Sequence, residues 1–338
     1  MMKNQNAMKN KQEKQSVKDY ATDPNLSKDV REFLKGLNSS GAPALETLSL
    51  ADAQLGLANA QASVKVDLSG IEVNLKTIVS DGYTIDLHIV RPEGVTETLP
   101  VFMFIHGGGW ILGDFPTHHR LVRDVVVESG FAAVFVNYSR TSEARYPEAI
   151  NEIYAATKWV ATHGEEINVD GTRLAIVGNS VGGNMSTVTT LMAKEKGGPA
   201  IALQVLMWPI VDADFKTKSY RKFGKDRFLS ASLMKWMYDL YIPDVKQRKE
   251  IYASPLQASV KQLKGLPPAL ILVAENDILR DEGEAYGRKL EEAGVPVTTV
   301  RYNGMIHDFG LLNGLATLPA VRSLAVQIGA ELKKYLTK

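Results

Sequence analysis

The chain has 338 residues, 45% hydrophobic and 23% charged, a balance that excludes a disordered or collagen-like polymer and fits one large core with a smaller appendage. Its 39 basic and 38 acidic residues leave a net charge of +1, which argues against a dedicated nucleic-acid protein and its basic excess. The absence of cysteine excludes disulfides, thiolate metal sites, iron–sulfur clusters and a cysteine nucleophile.

Residues 1–20 (MMKNQNAMKNKQEKQSVKDY) are Lys- and Asn/Gln-rich without an apolar stretch. They are expected to form a solvated, disordered tail rather than a secretory signal, and a cytoplasmic protein is expected. No run of about 18 apolar residues occurs, so no membrane span is expected. Residues 21–65 hold two short helices. Val30, Phe33, Leu34 and Leu37 share one face behind a Ser27 cap, and Ser49 and Asp52 have the spacing of a capping box. Two strand patterns follow at 71–79 and 83–90, and Asp81-Gly82 between them predicts a hairpin. From residue 100 the pattern changes to short apolar runs at 100–106, 131–138, 173–179, 201–208 and 268–275, most of them separated by helical stretches. Continuous apolar strands alternating with helices predict an α/β fold with a mostly parallel sheet covered on both faces. One of those helices follows Pro147, with Ile150, Ile153, Tyr154, Thr157 and Val160 along one side, and a final helix covers 319–336.

Residues 212–250 are too long for a plain crossover. Within them Leu233, Trp236, Met237, Leu240 and Tyr241 recur at helical spacing between a Ser230 cap and Pro243. With the N-terminal helices this insertion is a candidate lid, and its Met and aromatic content suits a pliable apolar pocket wall. The core is then 66–211 with 251–338.

Gly178-Asn179-Ser180-Val181-Gly182 matches G-x-S-x-G. Chance supplies roughly 0.1–0.2 such matches in a chain of this length, so the context decides. An apolar strand runs into Ser180 and a helical stretch leaves it, the strand–turn–helix that a nucleophile elbow needs. His106-Gly107-Gly108-Gly109-Trp110 follows a buried strand directly. Three glycines leave backbone N–H groups free to face an anion, as an oxyanion hole requires. A dinucleotide reading fails because the G-x-G-x-x-G spacing finds Leu112. A serine nucleophile needs a base, and the base an orienting acid. Of six histidines, His307 lies in the loop between a strand and the last helix, at the strand ends where Ser180 sits. Asp277 lies two residues past the strand at 268–275. Asp281 and Glu282 open the next helix, where acids favour the helix dipole, and Asp308 is a sequence neighbour of His307 that would not face it. The order Ser180, Asp277, His307 is that of the α/β-hydrolases. No H-E-x-x-H occurs and no histidine cluster has ligand spacing beyond His118-His119, so neither a metal nor a cofactor is expected.

HGGGW (106–110), GNSVGG (178–183), ENDILRDEG (275–283) and MIHDF (305–309) together resemble the hormone-sensitive-lipase-like branch of the α/β-hydrolases, the bacterial family IV esterases, over roughly residues 70–336. The resemblance implies an α/β-hydrolase fold with a helical cap made by the N-terminal helices and the insertion. It implies Ser180 as nucleophile, His307 as general base and acid, Asp277 as its carboxylate, and the N–H groups of Gly108, Gly109 and Val181 as oxyanion donors. Two departures stand out. The usual GDSAG has Asn179 and Val181 here, and the usual His-Gly-Phe is His307-Asp308-Phe309. Val181 keeps its N–H but its branched side chain narrows the acyl side, and Asn179 removes a charge beside the nucleophile. Trp110, Trp236 and Met237 are candidate substrate contacts.

The expected function is hydrolysis of short to medium acyl esters through an acyl-enzyme, with a small-molecule ester as partner and no nucleic acid. Family members occur as monomers or dimers, so a homodimer is one of two open states. An amidase or deacetylase on a small metabolite would use the same residues. A non-catalytic receptor would be free to lose His307, which is present.

Overall fold

A computed structural model of the chain describes residues 19–337, so the expected tail lies outside the described residues except for Asp19 and Tyr20. The two strand patterns become β1 (Ile71–Ser80) and β2 (Tyr83–Pro92), the five apolar runs become β3 (Leu99–Ile105), β4 (Ala132–Asn137), β5 (Val169–Asn179), β6 (Leu203–Met207) and β7 (Ala269–Ala274), and the strand before the His307 loop is β8 (Val297–Tyr302). They form one eight-stranded sheet in the order β1-β2-β4-β3-β5-β6-β7-β8. β2 is antiparallel to both neighbours, and every pair from β4 to β8 is parallel. Asp81 and Gly82 have φ of 51° and 86°, the two positive values that a tight hairpin needs to match strand twist.

The continuous apolar strands are explained by burial on two sides. Val101, Met103 and Ile105 of β3 join one core cluster with Leu174 and Ile176 of β5; Phe102, Phe104, Ala175 and Val177 join the other. Successive strand residues point to opposite faces, and both faces are dry here. Each large side chain so buried contributes about 1.5–3 kcal/mol relative to exposure. Helices α3 (Phe115–Ser129) and α10 (Pro319–Leu336) cover one face, while α4 (Glu148–His163) and α5 (Val181–Lys196) lie on the other; α9 (Arg280–Glu292) follows β7. α4 buries Ile150, Ile153, Tyr154, Thr157 and Val160, the face its period predicts.

The N-terminal helices α1 (Lys28–Ser39) and α2 (Leu50–Ala62) start where their caps place them, with Ser27 and Ser49 accepting from the N–H groups of Val30 and Asp52. The insertion carries α6 (Lys218–Phe223) and α7 (Ala231–Tyr241). α7 is capped by Ser230 and buries Leu233, Met234, Met237, Tyr238 and Tyr241, so its inner face is rotated from the expected stripe. Trp236 and Leu240 are only half-buried. The helix α8 (Val260–Leu263) completes the set. No helix among the described residues is long and apolar enough to cross a membrane.

The N-terminal segment and the insertion meet. Asn38 donates to the Asp226 carbonyl, Ser232 donates to Glu46, and Arg227 pairs with Asp23 at 2.9 Å with both side chains buried. Removing one partner of a buried ion pair is far costlier than the pair's net worth, because it leaves a charge in a poorly solvated place. Asp23→Ala is expected to lower stability by about 3–5 kcal/mol, read as a lower urea midpoint at unchanged slope; a loss under about 1 kcal/mol would show the pair to be dispensable.

Candidate active site

The carboxyl ends of the parallel strands gather the motif residues. β5 ends at Asn179, and Ser180 follows with φ 56° and ψ −121° at the mouth of α5. That strained backbone is held by its own bonds. The Ser180 N–H donates to the Met207 carbonyl at 2.9 Å, and its carbonyl accepts from Asn184 and Ile210. The turn is possible only because Gly182 lacks a side chain. A Cβ there would overlap the carbonyl oxygen of Ile105 and lie 2.8 Å from that of His106.

β7 runs into the loop carrying Asp277, and β8 into the loop carrying His307. His307 Nε2 lies 3.1 Å from Ser180 Oγ, and its Nδ1 lies 2.7 Å from Asp277 Oδ2. All three side chains are buried. Burial alone would pull the His307 imidazole below its ordinary pKa; the carboxylates of Asp277 and then Asp308 more than offset it, so the pKa is raised. A serine hydroxyl in this position can pass its proton to Nε2 while the carboxylate holds the tautomer and steadies the imidazolium.

β3 delivers the glycine loop. Gly108, Gly109 and Trp110 have φ of 111°, 64° and 61°, so the chain turns through left-handed backbone that glycine tolerates best. Among the described residues, the N–H groups of Gly108, Gly109 and Val181 donate to no protein acceptor. Gly107 N–H is tied down instead, to Asn179 Oδ1 at 3.0 Å and His118 Nε2 at 3.3 Å. His106 stacks on Tyr138 at 4.1 Å, and burial holds the imidazoles of His106 and His118 below their ordinary pKa, so they pack as neutral rings. The three expected substrate contacts fall in different places. Met237 packs directly on Gly109, where a Cβ would meet its Cε at 2.6 Å and overlap its sulfur. Trp110 is fully enclosed, stacked on Tyr241 at 4.4 Å and edge-on to Tyr238. Trp236 is half-buried on α7.

Sequence reasoning missed three polar residues. Asp281 and Glu282 do more than favour a helix dipole. Asp281 accepts from the Ser219 N–H, and the fully buried Glu282 from the N–H groups of Val211 and Asp212, so both fasten the insertion to the first turn of α9, just past Asp277. Burial pushes the Glu282 carboxyl well above the usual range. Asp308 does face its sequence neighbour. With φ 58° it turns back so that Oδ2 lies 3.6 Å from His307 Nε2. The glycine that usually stands here in the family pattern is the available signal of such a backbone.

Comparison with known proteins gives the family. Residues 102–311 match a family model described as an α/β-hydrolase fold. The ethyl acetate hydrolase of Pseudomonas putida is 33% identical over 239 residues, covering 70% of this chain and 74% of that protein. The carboxylesterase NlhH of Mycobacterium tuberculosis is 33% identical over 272 residues, covering 80% and 84%. A crystal structure of a thermostable esterase from Pseudomonas putida ECU1011 superposes with a TM-score of 0.92 at 58% identity, covering 93% of this chain and 98% of that one. The chain belongs to the α/β-hydrolase family, in its hormone-sensitive-lipase-like esterase branch.

Proposed function

We propose that the chain hydrolyses carboxylic esters with short to medium acyl groups through an acyl-enzyme on Ser180. The observation that carries this reading is the buried relay from Ser180 Oγ to His307 Nε2 at 3.1 Å and from His307 Nδ1 to Asp277 at 2.7 Å. Ser180 Oγ attacks the ester carbonyl as His307 takes its proton. The developing oxyanion is received by the free N–H groups of Gly108, Gly109 and Val181. His307 then gives its proton to the departing alcohol, and water repeats the sequence on the acyl-enzyme. The N-terminal helices and residues 212–250 act as a cap over the site, fastened to the first turn of α9 through Asp281 and Glu282.

The size of the acyl site follows from what crowds it. Met237 sits on Gly109, and the branched Val181 is wholly buried at the elbow. Hydrolysis of p-nitrophenyl esters is expected to be fastest for acyl chains of about two to six carbons, since each further buried methylene needs room that close-packed walls do not give. An optimum at about twelve carbons or more would overturn that size. No hydrolysis of any ester, with cleavage of the matching anilides, would move the chemistry to amides.

A further inference from the structure

Asn179 stands where the family pattern GDSAG has an aspartate, and Asp308 stands where its His-Gly-Phe has a glycine. These positions touch. Asn179 Nδ2 donates to Asp308 Oδ1 at 3.1 Å, and Trp208 Nε1 donates to the same oxygen at 2.6 Å. Asn179 Oδ1 accepts from the Gly107 N–H at 3.0 Å at the foot of the glycine loop. The other oxygen of Asp308 lies 3.6 Å from His307 Nε2, the nitrogen that also reaches Ser180 Oγ at 3.1 Å. Asn179, Trp208, His307 and Asp308 are all buried.

Resting on the ester-hydrolase reading above, we propose that Asp308 is a second carboxylate for the catalytic histidine and a positioning residue, whose partner at position 179 must be neutral. His307 is flanked on both nitrogens. Asp277 holds Nδ1 from the loop after β7, and Asp308 faces Nε2 from the histidine's own loop. Asp308 is faced by Asn179 from the elbow, Trp208 from the end of β6, and the buried His118 from α3. Asp277 is faced in turn by Glu282 from α9 and Tyr220 from α6. Among the described residues, neither Asp277 nor Asp308 is ion-paired with a lysine or arginine. A carboxylate this close to Nε2 favours the imidazolium that forms at each proton transfer, and it also makes the base harder to free at low pH. An aspartate at position 179 would set two carboxylates about 3 Å apart with no cation between them, and one would have to take a proton.

Asp308→Asn separates charge from architecture. The amide oxygen it introduces can accept from Asn179 and Trp208 as before, and beside Nε2 the charge gives way to a neutral N–H donor, which also favours the neutral ring. Catalysis needs neutral His307, so activity falls as pH drops through the histidine's pKa. Removing a charge that raises this pKa should move the acid limb of kcat/KM to lower pH by roughly one unit. Asn179→Asp alone should lower kcat/KM by about tenfold or more, the scale of coupling inside one hydrogen-bond network. Asn179→Asp with Asp308→Asn should recover part of that loss, because the amide introduced at position 308 can then donate to the carboxylate introduced at position 179, although Trp208 Nε1 loses its acceptor. The double variant should keep the lowered acid limb. It supplies the same readout should Asp308→Asn fail to fold. An acid limb that stays in place in both variants, or a double variant no better than Asn179→Asp, overturns the proposal. Following the His307 ring protonation by NMR reads the same midpoint without turnover. A chain that hydrolyses no ester but shows the shifted midpoint would therefore sink the ester-hydrolase reading and leave the charge placement standing.

Discussion

Ser180→Ala is expected to lower kcat for ester hydrolysis by on the order of 10⁶ while leaving the chain folded. The size of the loss comes from the way the group acts. The hydroxyl, the imidazole 3.1 Å away and the carboxylate 2.7 Å beyond it form one relay. Removing the nucleophile therefore removes the work of all three, and what remains is the contribution of oxyanion donors and binding. The fold should survive because the elbow is held by the backbone of Ser180, not its side chain. The N–H donates to Met207, and the carbonyl receives Asn184 and Ile210. Alanine keeps all three bonds. Steady-state kinetics against unchanged thermal unfolding checks both halves. Activity within about tenfold of the native chain would place the nucleophile elsewhere.

The parts of this site legible in the sequence are those that local chemistry writes. The strand into Ser180, the glycines around it, the HGGG run and the cap of α7 at Ser230 each obey a rule that spans only a short stretch of chain. Pairing across the sheet obeys no such rule. The apolar runs predict parallel strands, but nothing in them says that β2 lies between β1 and β4, or that β3 sits inside β4. The buried polar contacts are equally hidden. Asn179 and Asp308 are 129 residues apart, and Gly107 meets Asn179 across 72. The rule that successive side chains diverge discounts Asp308. Its left-handed φ of 58° removes that premise; non-glycine residues seldom adopt such backbone, so only the glycine of the family pattern at that position signals it. Glu282 reads as a helix-start acid, and its hold on Val211 depends on where the insertion leaves β6.

The glycine at position 182 has a sharper consequence than its neighbours. Gly182 is the second residue of α5, after Val181, and α5 starts against the end of β3. A methyl group there would overlap the Ile105 carbonyl oxygen, lying 2.7 Å from the Ile105 carbonyl carbon and 2.8 Å from the His106 oxygen. These are backbone atoms of the last residue of a central strand and the residue after it, so no rotamer can move out of the way. Either α5 withdraws and opens a gap in a close-packed core, or the end of β3 shifts and carries the glycine loop with it. Gly182→Ala is therefore expected to lower stability by at least about 4 kcal/mol, the range reserved for severe core defects. Any folded fraction should lose a further factor of about 10²–10³ in kcat, because displaced Gly108 and Gly109 N–H groups no longer meet the oxyanion. Gly36 in α1 is the control. No heavy atom lies within 4 Å of a Cβ built there, so Gly36→Ala should be neutral or gain up to about 1 kcal/mol. Urea unfolding of the two variants side by side makes the comparison. Equal, small effects would mean that the elbow can yield, and that the contact between Gly182 and Ile105 does not set the spacing of nucleophile and oxyanion donors.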